Sequence, residues 1–161
     1  MEQIKQGVPE GYHTITPAII VGNAAKAIEF YQRAFGAKEI SRMPSPDGKI
    51  MHAELKFGDS IVFLSDEFPD MGARSPESLG GTSSSLHMHV QDVDAVFAQA
   101  VKAGATVVMP VADMFWGDRY GNVKDPFGHT WGIATRKETL TPTQVQQRAA
   151  QFFASAAKGK V

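Results

Sequence analysis

Two stretches decide the fold: TPAIIVGNAAKAIEFYQRAFGA at residues 16 to 37 and SLHMHVQDVDAVFAQAVKAGA at residues 85 to 105. Each reads as a short apolar strand, an Asn or Asp at its end, about three helical turns and a Gly-Ala stop. Asn23 and Asp92 lie 69 residues apart and Ala37 and Ala105 lie 68 apart, so one unit occurs twice. Asn23 and Asp92 are good N-caps, each contributing about 1 kcal/mol. Ala27, Ile28, Tyr31 and Phe35 recur at helical spacing, as do Val93, Val96, Phe97, Ala100 and Val101. Gly36 and Gly104 stand where a left-handed residue ends a helix. Each helix has one apolar face and must lie on a sheet.

Working outward, strands follow each helix. In the first unit they are expected at about 38 to 43, 50 to 57 and 60 to 65, with PSPDGK and GD as turns. In the second they are expected at about 106 to 109, 119 to 124 and 130 to 134, with DPFG as the last turn. The fold class is therefore α+β, with two βαβββ modules and a C-terminal helix. Module one spans about 13 to 66, a Gly/Ser/Pro-rich linker 67 to 84, and module two about 85 to 137, all in one domain. A unit of ~55 residues buries only about 60% of its unfolded surface, so the modules are expected to share a sheet rather than stand alone. The C-terminal helix, about 141 to 157, opens with Thr141 as N-cap, Pro142 at N1 and Gln144 closing a capping box. Its stripe of Val145, Ala149, Phe152 and Ala156 is expected to pack on the body or on a second subunit.

Composition narrows the function. Sixteen Lys and Arg against seventeen Asp and Glu leave a net charge of −1, no footprint for nucleic acid or an anionic membrane. No apolar run approaches the ~20 residues of a spanning helix, and MEQIKQGVPEGYHT has no apolar core of a secretion signal, so a cytoplasmic location is expected. With no cysteine, any metal would need His or carboxylate ligands. GDRYG and DPFG are turns and match no phosphate-binding loop.

The repeated strand–Asn/Asp–helix–Gly-Ala pattern, together with MFWGDRYGNVKDPFGHTWGIATR at 114 to 136, resembles the vicinal-oxygen-chelate superfamily, and within it the PhnB-like glyoxalase/bleomycin-resistance branch. The resemblance covers about residues 13 to 137. It implies that the two βαβββ modules form a cupped mixed sheet with helices outside and a ligand cavity within. In metal-dependent members it implies a divalent ion held by His, Gln or Glu from the first and last strands of both modules. The first-strand ligand stands seven residues before the helix-starting Asn or Asp, which gives Thr16 and Ser85 here. The last-strand glutamate follows the DPxG glycine by four, which gives Gly132; the fourth position falls between Leu64 and Asp66. A neutral hydroxyl is a poor ligand and glycine is none, so no metal and no other cofactor is expected.

Strand alternation places Thr16, Ala18 and Ile20 on one face of the first strand, and Ser85, His87 and His89 on the matching face of the second module. Thr16, Ala18, Ser85, His87, His89, Phe115, Trp116 and Tyr120 are the expected ligand-binding residues, the aromatics serving to stack a flat compound. Trp131 is expected in the core, and His129 is expected to tie its turn. No catalytic residue is assigned. His52 and Glu54, on one face of their strand, are the candidates for acid–base work, outweighed by a surface pair with Lys56. The expected function is metal-independent binding of a small molecule, sequestering a toxic or antibiotic-like compound, in a protein expected to be a homodimer. The alternative is a metal-dependent lyase, isomerase or dioxygenase with a site rearranged around His52, Glu54, His87 and His89. A third reading is an oligomeric interaction module whose cavity is incidental.

Overall fold

The computed structural model describes residues 7–158. Strand β1 (Ala18–Val21) leads into helix α1 (Ala24–Phe35), then β2 (Lys38–Pro44), β3 (Ile50–Phe57) and β4 (Ser60–Asp66). After a 3-10 turn at Pro69–Met71 and the short helix α2 (Pro76–Leu79), the pattern repeats as β5 (Ser85–His89), α3 (Val93–Ala103), β6 (Thr106–Asp113), β7 (Asp118–Lys124) and β8 (Thr130–Arg136). Helix α4 (Pro142–Lys158) closes the chain. The α+β class and the two βαβββ modules thus stand as expected. The linker is more ordered than a Gly/Ser/Pro-rich stretch suggests, since Ser75 is fully buried and caps α2.

The eight strands divide into two mixed sheets of like topology, β1-β4-β3-β2 and β5-β8-β7-β6. In each, the first strand runs parallel to the last and the others pair antiparallel. The caps read from the sequence are made: Asn23 accepts from the Lys26 N–H at 3.0 Å and Asp92 from the Ala95 N–H at 3.1 Å. Gly36 ends α1 at φ +65°, a left-handed conformation that costs glycine nothing. At the tail, Gln144 N–H donates to Thr141 Oγ1 at 3.3 Å while Thr141 N–H donates to Gln144 Oε1 at 2.9 Å, completing the capping box.

The modules share a core, not a ladder. No strand pairing joins the two sheets among the described residues, and β1 and β5 are both edge strands. A cleft of about 720 Å³ lies between them, lined by Pro17, Ala18, Ile20, Ser84, Ser85 and Leu86. The joining contacts lie on the helix-covered sides and at the turns, so the edges are not drawn into bonding distance. Trp131 of β8 is buried against Tyr31, Phe35 and Phe57 of module one, with ring centroids 5.3, 4.9 and 5.3 Å away. Such aromatic pairs add about 0.5 to 1.5 kcal/mol each beyond area burial. Beneath them Asp125 accepts four hydrogen bonds: from the Phe127 and His129 N–H groups at 2.9 Å each, Trp131 Nε1 at 2.9 Å and the Tyr31 hydroxyl at 2.7 Å. His129 Nε2–H reaches the Ile20 carbonyl at 2.8 Å, so this histidine ties module to module as well as its own turn.

Helix α4 stands apart. Phe152 and Phe153 meet Phe115 at 5.4 and 6.2 Å yet stay 53% and 63% exposed.

Candidate functional site

Register decides what each open face carries. In sheet two His87 pairs with Gly132, which pairs with Asn122, and His89 pairs with Ala134, which pairs with Tyr120. These residues lie on the face away from α3, where Ser85, His87 and His89 are all exposed. In sheet one Glu54 pairs with Phe63, which pairs with Ala18, again away from the helix. The alternation read from the sequence is therefore correct in both modules. Each sheet turns a face bearing histidines and aromatic rings to solvent.

At the middle of the module-two face, the His87 imidazole lies parallel to the Tyr120 ring, centroids 5.6 Å apart and planes 8° apart. Trp116 meets Tyr120 edge-on at 5.9 Å, and His89 lies 4.8 Å from His87. A cleft of about 620 Å³ opens beside His87, lined also by Thr16, His89, Phe57, Met88 and Trp131. Burial holds the His87 imidazole below its ordinary pKa, with a second push from His89 and a smaller opposing pull from Asp118. Asp118 is buried, accepts from Trp116 Nε1 at 3.1 Å, and is joined by Arg136 and, at 3.9 Å, by His89. Asn122 Nδ2 donates to the Tyr120 hydroxyl at 3.1 Å, which leaves that O–H free to donate, while Asn122 Oδ1 is buried without a partner.

With this geometry in hand, the relatives can be placed. The sequence profile of the Glyoxalase/Bleomycin resistance protein/Dioxygenase superfamily matches residues 12–133. The chain belongs to that superfamily. An uncharacterized protein of Mycobacterium tuberculosis is 47% identical over 135 residues, spanning 82% of this chain and 79% of the relative. Among solved structures, TioX from Micromonospora sp. ML1 is 28% identical with a TM-score of 0.61, covering 79% of this chain and 98% of its own. A Bacillus cereus PhnB protein shares the fold at a TM-score of 0.58 and 18% identity, covering 76% of this chain and 99% of its own. The resemblance drawn from the repeated units and the 114 to 136 block is borne out at the level of the superfamily. No helix among the described residues is long and apolar enough to cross a membrane.

The metal positions implied by the superfamily resemblance do not fit an ion here. Thr16 and Ser85 offer only hydroxyls. At Gly132, an added Cβ would stand 2.8 Å from Tyr120 Cε2 and 2.9 Å from His87 Nδ1, so the ring stack has taken the space of a last-strand side chain. Asp66 is consumed structurally: one carboxylate oxygen accepts the Ala24 N–H and the other the Ile50 N–H, both at 2.7 Å. Among the described residues no three His, Asp or Glu side chains converge as an ion would require.

The expected ligand-binding residues are not gathered into one place. Thr16, His87 and His89 line the 620 Å³ cleft, and Ala18 and Ser85 the neighbouring 720 Å³ one. Tyr120 and Trp116 back the imidazole. The Phe115 ring packs on Trp116 at 5.0 Å and on Phe152 and Phe153 of the tail helix at 5.4 and 6.2 Å. The expected surface pairing of Glu54 with Lys56 is corrected. His52 Nε2 lies 3.3 Å from Glu54 Oε1, and the Tyr12 hydroxyl donates to the same carboxylate. Three residues escaped the sequence reading. Asn122 stands two along from Tyr120 on β7 and was within reach of the alternation argument. Phe63 reads there as one more apolar residue of β4, and Tyr12 sits in coil with no periodic signal to mark it.

Proposed function

We propose that the protein is a metal-independent receptor for a small planar compound, seated in the cleft beside His87. The observation that carries this reading is the His87 ring itself, backed by Tyr120 over the bare backbone of Gly132 and lining the cleft. A largely neutral imidazole on that stack presents a flat surface and one hydrogen-bonding nitrogen. Thr16, His89, Asp59 and Ser60 add a few directional groups to a wall that is otherwise built largely of apolar side chains such as Phe57, Met88 and Trp131. This is the usual make-up of a small-molecule site, and the cleft lies in the usual size range. Sequestration needs nothing more than such a surface, whereas the superfamily's metal chemistry needs a Lewis acid that these residues do not hold.

A homodimer suits this reading. Each module leaves its helix-free face open, and α4 leaves Phe152 and Phe153 largely exposed, surface that a second copy would cover. The test is a ligand screen read by thermal shift, followed by metal analysis of the purified protein and of His87→Ala. Saturable binding that survives chelator and is lost in His87→Ala is expected. Stoichiometric Zn, Ni or Fe that disappears in His87→Ala would instead establish the metal-dependent lyase, isomerase or dioxygenase. A broad screen without any shift would leave an interaction module.

A further inference from the structure

The open face of module one carries a second cluster, away from His87. Residues 7 to 17 cross it as an arm before β1, and Tyr12 fastens the arm by donating its hydroxyl to Glu54. The Tyr12 ring lies 6.2 Å from Phe63 at 56°, and the His52 ring 4.8 Å from Phe63 at 65°. Three rings in tilted and edge-on orientations therefore gather about one carboxylate, whose side chain keeps 19% of its surface exposed. A cavity of about 450 Å³ opens under the arm, lined by Pro9, Tyr12, His13, Thr16, Glu54 and Phe63. The Tyr12 hydroxyl, and then His52, hold the Glu54 carboxyl below its ordinary range, so it is ionised at neutral pH. A carboxylate has about four lone-pair positions, and Tyr12 and His52 use two of them. Lys56, on the same face of β3, forms no ion pair with Glu54 among the described residues.

We infer that this cage binds a small organic cation, an alkylammonium or quaternary ammonium group, held by Glu54 and by the faces of Tyr12 and Phe63. Ring faces attract cations through their quadrupole, an attraction that grows as the site dries, and the carboxylate supplies the full charge. The geometry also disfavours anions and hydrated divalent ions, since Glu54 is the cavity's one acidic side chain and no second acid stands beside it. The Glu54 carboxylate and its rings lie outside the His87 cleft, although His13 and Thr16 line both hollows, and neither reading needs the other.

The test titrates the full-length protein with choline and with tetramethylammonium, using uncharged 3,3-dimethyl-1-butanol as the shape-matched control, followed by NMR. Saturable shifts confined to Tyr12, His52, Phe63 and their neighbours are expected for both cations and not for the alcohol. Glu54→Gln should weaken binding about tenfold, and Tyr12→Leu, which keeps the charge, several-fold. Should Glu54→Gln fail to fold, Tyr12→Leu and the alcohol control decide the matter. Equal binding of the alcohol, unchanged affinity in the variants, or no saturable cation binding at millimolar concentration each overturns the inference. The last result, accompanied by a dimer that dissociates in salt, would give the cage to a lysine of a second copy instead.

Discussion

Asp125 couples the two modules through the Tyr31 hydroxyl, and replacing it by Asn measures that coupling. Oδ1 serves the Phe127 and His129 N–H groups, and a carboxamide oxygen in that place keeps both bonds. Oδ2 serves the Tyr31 hydroxyl and Trp131 Nε1, and the new NH2 would face two donors, of which only the hydroxyl can rotate. Two charge-assisted bonds are lost at about 1.5 to 3 kcal/mol each, and a turned Tyr31 hydroxyl recovers about 1 kcal/mol as a neutral bond, so Asp125→Asn should cost roughly 2 to 5 kcal/mol. Tyr31→Phe removes one bond and leaves the carboxylate otherwise served, for about 1.5 to 3 kcal/mol. The double variant should fall well short of the sum, because both substitutions delete the Tyr31 bond. Equilibrium urea unfolding checks these figures, and a total stability of about 5 to 15 kcal/mol leaves room to resolve them. Asp125→Asn should also lower the unfolding slope or split the transition, since it loosens one module from the other. A loss below about 1 kcal/mol with an unchanged slope would refute the account of Asp125 as the pin between modules.

Further outcomes follow from the same geometry. Gly132→Glu should not create a metal site, because Thr16 and Ser85 still supply no ligand; it should drive the His87 and Tyr120 rings apart, visible as lost ring-current shifts, at about 1 to 3 kcal/mol, toward the low end because both rings can swing into solvent. His87 has a depressed folded pKa, so the unfolded chain binds its proton first: stability is unaffected well above the ordinary value of about 6.5 and falls as pH drops below it, and His87→Ala should flatten that acid limb in thermal unfolding. Replacing Phe152 and Phe153 together by Ser should leave the monomer's unfolding midpoint nearly unchanged, since both side chains are more than half exposed; in the proposed homodimer it should shift sedimentation toward the monomer, and an unaltered dimer would remove α4 from the proposed interface.

Much of the fold was legible because local signals agree. Asn23 and Asp92 are helix caps by chemistry, the apolar spacing of α1 and α3 is set by the helical period, and the 50 to 57 strand was bounded by turn residues on both sides. The ends of β6 and β8 ran longer than expected, to Asp113 and Arg136, because pairing with β7 continues past the apolar residues that mark a strand in sequence. Alternation grouped the side chains of β1 and β5 by face, and the superfamily resemblance chose which face is open. Lost to the sequence were contacts that cross between elements: Tyr12 on Glu54, Asp125 on Tyr31, Phe115 on the tail helix. These join residues up to 94 positions apart, and no periodicity encodes such pairings.

The paired modules also explain why the acidic residue near a superfamily metal position is engaged by the backbone. In each module the first and last strands are parallel neighbours, so the end of the last strand lies beside the turn into the helix. Asp66 there accepts the Ala24 N–H, and Thr135, 69 positions on, accepts the Val93 N–H with its hydroxyl and donates to the Val90 carbonyl. Topology thus demands a polar acceptor at that place, and either Asp or Thr meets the demand. Asp66 also takes the Ile50 N–H, which Thr135 has no second oxygen to match. A polar acceptor at position 66 is therefore expected from the fold whatever the cup contains, and the second carboxylate oxygen there serves Ile50. With that residue committed to the backbone and Gly132 bare, the proposed binding centre of module two lies two residues along β5 from Ser85, at His87, whose ring occupies the space above the glycine.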